Sequence, residues 1–162
     1  MKAFGSALPL ALALGAALFA AGTVVPAKAG LGETVASVQA DRVSMKGQLR
    51  ARSEAGYSVQ EITAANGTIV REYVSPSGVI FAVSWSGPAM PNLQQSLGSY
   101  FTQYQSAVAA QRTTGGRAGH HHHLEVRTPS LVMHVGGHMR QHFGLAYVPS
   151  LLPPNLSVSN LH

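Results

Sequence analysis

The sequence predicts an α+β domain: a short N-terminal helix, a three-stranded antiparallel meander, an amphipathic helix and a C-terminal hairpin, with the helices on one face of the sheet. Three observations predict it. β-branched and aromatic residues crowd positions 57–85 between turn sequences, apolar residues recur at helical spacing after Asn92, and Gly136-Gly137 divides a later apolar stretch in two.

The domain is expected to lie behind an export signal. Met1-Lys2 supplies a positive start, residues 7–21 are apolar apart from Pro9 and Gly15, and Ala27-Lys28-Ala29 is a small-x-small cleavage triplet preceded by the helix breaker Pro26. Cleavage after Ala29 is the expectation, so residues 1–29 are a signal peptide and no transmembrane segment remains afterwards. An uncleaved anchor is the competing reading, since residues 7–25 approach the apolar length of a spanning helix. It leaves Pro26 and the Ala-x-Ala triplet without a purpose. The implied location is periplasmic or secreted.

Composition narrows the function classes. Lys2 and Lys28 lie in the signal, so the full chain's formal charge of +5 and pI near 10.0 exaggerate the basicity of the mature part. No basic cluster with interleaved aromatics occurs, which argues against nucleic acid as a partner. Cysteine is absent, so the domain folds without disulfides, a pattern more typical of a bacterial envelope than of a small eukaryotic secreted scaffold.

Along the chain, Val35, Val38 and Met45 recur at roughly helical intervals and Gly47 follows, predicting a helix over residues 34–50. Residues 57–64, 68–75 and 79–85 read as strands, separated by Asn66-Gly67 and by Ser75-Pro76-Ser77-Gly78. A two-residue turn at Asn66-Gly67 sets Glu61 opposite Glu72, a repulsive pairing, and brings Phe81 beside Glu72. A three-residue turn pairs Gln60 with Glu72 and Ile62 with Val70, and is favoured because it avoids facing like charges. Glu72, next to Arg71, then reads as part of an ion pair on the sheet.

Pro88 and Pro91 end the meander. From Asn92 to Gln111, Leu93, Leu97, Tyr100, Phe101, Tyr104 and Val108 mark one helical face, and Gln94, Gln95, Ser99, Thr102, Gln103 and Ser106 make a neutral outer face. Residues 112–123 form a Gly- and His-rich loop. Strands over 131–135 and 138–148 flank Gly136-Gly137, read as the hairpin turn. The single domain therefore covers 30–148, and 149–162 is a Pro-rich tail that wraps the domain or forms an edge.

With the elements placed, Arg71-Glu72-Tyr73-Val74-Ser75-Pro76-Ser77-Gly78 followed by Phe81-Ala82-Val83-Ser84-Trp85 resembles a known family. Gly136-Gly137-His138-Met139-Arg140, Gly144, Ala146-Tyr147-Val148-Pro149 and Leu31-Gly32 resemble its other conserved blocks. The family consists of small exported proteins of Gram-negative bacteria carrying a domain of unknown function. The resemblance implies location and a shared fold over nearly the whole mature chain. It implies no activity, ligand or catalytic residue, and the tetra-histidine run lies outside it.

Few residues carry chemistry. His120, His121, His122 and His123 offer four imidazoles, the commonest transition-metal ligand, so Zn, Cu or Ni capture is available, with His142 as an added ligand. A flexible run has no second shell to orient its rings, so such binding is weak and unselective, and a solvated loop is the competing reading. If Gly136-Gly137 is the turn, His138 and His142 share one face and His134 takes the other. His138 beside Arg140 is the pair suited to holding an anionic group, with Glu72 and Arg71 as further ligand-binding candidates. No nucleophile elbow, cysteine nucleophile or phosphate loop occurs, and Asp41 is the only aspartate, so no catalytic residue is assigned and no cofactor is required. A Glu72–His138 acid-base pair would support a hydrolase if the two met. The leading expectation is a non-enzymatic binding or assembly module whose partner is another exported or envelope protein.

Overall fold

The computed structural model describes residues 30–113 and 123–161. Seven strands form one antiparallel sheet in the order β1-β2-β3-β4-β7-β6-β5. They are β1 (Gln48–Glu54), β2 (Tyr57–Thr63), β3 (Ile69–Val74), β4 (Ile80–Gly87), β5 (His123–Arg127), β6 (Val132–His138) and β7 (Gln141–Tyr147). The helices α1 (Val38–Ser44), α2 (Leu93–Leu97) and α3 (Phe101–Thr113) cover one face, with a 3-10 turn, Gly98–Tyr100, joining the last two. The fold is α+β with helices on one side of the sheet, as its sequence pattern predicts.

The meander has the quieter register. Ala64 and Thr68 close a three-residue turn through an Ala64 N–H to Thr68 carbonyl bond of 2.8 Å, and Gln60 faces Glu72 while Ile62 faces Val70. At the second turn the Gly78 N–H reaches the Ser75 carbonyl at 2.9 Å, as a Pro-x-Gly turn should. Phe81 is then an extra residue in β4, since Tyr73 pairs with Ala82 but Val74 with Ile80. This bulge sends Ile80 to the helical face and Phe81 to the opposite one.

The first helix is shorter than its apolar spacing suggests. A 3-10 turn, Val35–Ser37, leads into α1, which ends at Ser44; Lys46 takes a φ of 48° and the chain leaves as β1. β1 is exposed along nearly its whole length and exists through its pairing with β2, so it shows no alternation of its own.

The second hairpin turns elsewhere than expected. His138 pairs with Gln141, so Met139-Arg140 is the turn, with Arg140 at a φ of 60°. Gly136 and Gly137 lie inside β6, where their missing side chains allow close packing. A Cβ on Gly136 would sit 2.4 Å from Cζ of Phe143, and one on Gly137 2.6 Å from the Gln141 carbonyl oxygen.

Both faces of the sheet are covered. On the helical side Ile62, Val70, Val83, Trp85, Met133 and Ala146 pack beneath Val38, Leu97, Phe101 and Tyr104. On the other side Val59, Tyr73, Phe81 and Ala82 are covered by residues 149–161, with Leu161 only 4% exposed. The Pro-rich tail is thus part of the domain. Tyr57, Tyr73 and Phe81 hold one another there at centroid separations of 6.1–6.2 Å.

Candidate functional site

The strongest chemistry among the described residues is a pair of carboxyls sealed between sheet and helix. In β3 the alternation Val70, Glu72, Val74 aims all three at the helical core, and α1 turns Val38 and Asp41 toward it at i, i+3 spacing. Asp41 and Glu72 are both 0% exposed. Gln95 of α2 donates its amide N–H to Oδ1 of Asp41, and the Ser44 hydroxyl donates to Oε1 of Gln95 at 2.7 Å. That chain of bonds ties α1 to α2.

Glu72 has no such donor: no N–H or hydroxyl of another described residue reaches either of its oxygens. An ionised carboxylate there would lose its water shell with nothing in exchange. Burial, then hydrogen bonding to Asp41 and the charge of Asp41, pushes Glu72 up to about 9. Burial also raises Asp41, while its hydrogen bonds with Glu72 and Gln95 pull it back down. At neutral pH Glu72 therefore stays protonated. Oδ2 of Asp41, Nε1 of Trp85 and Oγ of Ser96 are further buried polar atoms without partners among the described residues.

Arg71 points to the opposite face and pairs with Glu61 at 2.8 Å; the ion pair expected at Glu72 belongs to Glu61 instead. The neutral helix face is also partly engaged. Gln95 turns inward to Asp41, and Gln103 accepts from the Ser130 hydroxyl at 2.6 Å.

His138 and Arg140 are exposed at the β6–β7 tip, while Glu72 lies within β3, with β4 and β7 between it and β6. The Glu72–His138 pair is not assembled. Because the hairpin turns at Met139-Arg140, His134 and His138 share one face and His142 takes the other, the reverse of the grouping that a Gly-Gly turn would give. His142 lies over Gly137, with Nδ1 3.3 Å from where a Cβ would stand.

His120, His121 and His122 lie outside the described residues. His123 opens β5 opposite Gly136 and packs on the Phe143 ring at 5.8 Å between centroids. Among the described residues no three imidazole or carboxylate side chains are grouped to hold a metal ion. None of the described helices is long and apolar enough to cross a membrane.

Asp41 and Gln95 are the site residues that the pattern of the sequence hides. Glu72 stood out in the sequence, but as half of an ion pair beside Arg71 rather than as a buried acid, and its partner sits in a helix whose polar residues usually face water.

Comparison with curated proteins and with solved structures finds no match. The family described as "Protein of unknown function (DUF2844)" matches residues 27–161, and the chain belongs to that family.

Proposed function

We propose that this is an exported protein of the cell envelope, periplasmic or secreted, that works as a non-enzymatic binding or assembly module contacting another exported protein through the outer face of α3. The observation that carries this reading is the chemistry of that face. Phe101, Tyr104 and Val108 pack on the core, whereas Thr102, Gln105, Ser106 and Ala109 are exposed and uncharged. No Asp, Glu, Lys or Arg occurs between Glu72 and Arg112. Covering such a face desolvates no charge, and depletion of charge is the compositional mark of an interface centre. The carboxyl pair supports the non-enzymatic part, since two groups with 0% exposure cannot touch a substrate in this fold.

A photo-crosslinking residue at Ser106 in intact cells tests the proposal against the same residue at Arg52 of β1. The expected outcome is a discrete adduct with one exported protein from Ser106 alone, abolished by Gln105→Glu. Adducts that are absent, or equal at the two positions, refute it. Mass spectrometry of the exported form tests the location, with a chain beginning at Gly30 expected.

One observation favours a second reading, transition-metal capture by the histidine run. His123, its last member, is adjacent to the hairpin that carries His138 and His142. Titration of Zn, Cu and Ni against the mature protein and a form lacking residues 114–122 decides it; equal affinity in both removes the loop from the function.

A further inference from the structure

The turn end of the β6–β7 hairpin places sulfur and nitrogen ligands together without any carboxylate. Gly87, His142 and Gly137 form one row across β4, β7 and β6. Met90 follows Gly87 by three residues and Met139 follows Gly137 by two, so the chain brings a methionine back to each side of His142. One surface pocket is lined by Met90, Met139, His142 and His138, with Val135 and the two glycines as its floor.

Neither methionine serves the core. Met139 is 95% exposed and Met90 39%, whereas Met133, earlier in β6, is fully buried. An exposed thioether flanking a half-buried imidazole contributes little to stability, but it is a competent soft ligand.

We propose that Met90, Met139 and His142 bind a soft monovalent cation of the Cu(I) class, with His138 at the rim. The ligands select this chemistry. Thioethers are poor donors to Mg, Ca and Zn, and the pocket lining includes no Asp or Glu to neutralise a divalent charge. A monovalent d10 ion needs no anionic ligand and accepts low coordination numbers. The absence of a side chain at Gly137 leaves room for the His142 ring beside it, and imidazole is a competent ligand to such an ion. The site uses none of His120, His121, His122 and His123 and is independent of the α3 surface; it shares the hairpin histidines with the metal reading above, and the Ser form below separates the two.

The test is anaerobic titration of the mature protein with Cu(I) in competition with a chromophoric chelator. It compares wild type, the Met90→Leu/Met139→Leu double variant, His142→Gln, and a form with His120, His121, His122 and His123 changed to Ser. Leucine keeps the volume of methionine and removes the sulfur, and unfolding midpoints confirm that each variant is folded. The expected result is one Cu(I) per chain, an affinity loss of roughly tenfold or more in the Leu and Gln variants, and wild-type affinity in the Ser form. In 13C-methyl spectra Met90 and Met139 shift on addition of Cu(I) while Met133 does not. Unchanged affinity in the Leu variant, or loss of binding only in the Ser form, overturns the proposal.

Discussion

Glu72 of β3 and Asp41 of α1 lie together inside the core, and burial beside a second carboxyl holds Glu72 in its protonated form at neutral pH. Asp41 is bonded to Gln95 and through it to Ser44, so one polar chain beside Glu72 connects the two helical segments. Buried polar groups of this kind are costly when unsatisfied and restrictive when paired, which makes their removal informative.

The pair makes stability depend on pH. The Glu72 carboxyl ionises at about 9 in the folded chain against an ordinary 4.5. Between those values the folded chain holds a proton that the unfolded chain has released. Stability is therefore full below the lower value and falls as pH rises toward the upper one, by at most about 1.4 kcal/mol per pH unit. Glu72→Gln keeps the shape and a donor toward Asp41 but cannot ionise. Urea midpoints measured from acid to mildly alkaline pH should fall for wild type and stay nearly level for the variant. Parallel curves would show that Glu72 is ionised in the fold.

Gln95→Ala removes the N–H donor from Asp41 and releases Ser44. A loss of about 1–3 kcal/mol is expected, the range for orphaning a buried acceptor. In an Asp41→Asn background the same change should cost less, because an amide needs that donor less than a carboxylate. Additive losses would mean that the two side chains act separately.

The Arg71–Glu61 pair is about one-fifth exposed, at 20% and 22%. A double-mutant cycle with alanine should give a coupling of up to about 1 kcal/mol that shrinks as salt is added. Coupling that is salt-independent would point to packing by the arginine stem instead.

Gly144 lies under the indole of Trp85, where an added Cβ would come within 2.2 Å of Cζ2. Gly144→Ala should cost about 1–3 kcal/mol by overpacking. Trp85 is the only tryptophan, so its emission reports the displacement directly. Unaltered emission with normal stability would show that β7 yields without disturbing the ring.

The elements legible in the sequence were those that bury one face. The alternation of β2 and β3, the Pro-x-Gly turn and the Asn92 cap, whose side chain accepts the Gln95 N–H at 3.2 Å, each leave a local signature. β1 leaves none, because an edge strand with polar residues on both faces is defined by its neighbour, while β5 does alternate, with Leu124 and Val126 toward the core, but is only five residues long. The turn at Met139-Arg140 was hidden by Gly136-Gly137, whose smallness serves the Phe143 ring and the Gln141 backbone. The acid of the candidate site was visible, but its approach to Asp41 is made by tertiary packing between residues 31 positions apart in the chain, 41 and 72.

The segment 149–161 lies against Tyr73 and Phe81, and the centre of the sheet is sealed where β4 meets β7. Synthesis therefore reaches β4 long before the strand that completes it, and the aromatic side stays bare until Leu161 arrives. Such an order delays closure, since contacts so distant along the chain form slowly. A polypeptide with that delay stays pliable until its last elements are in place.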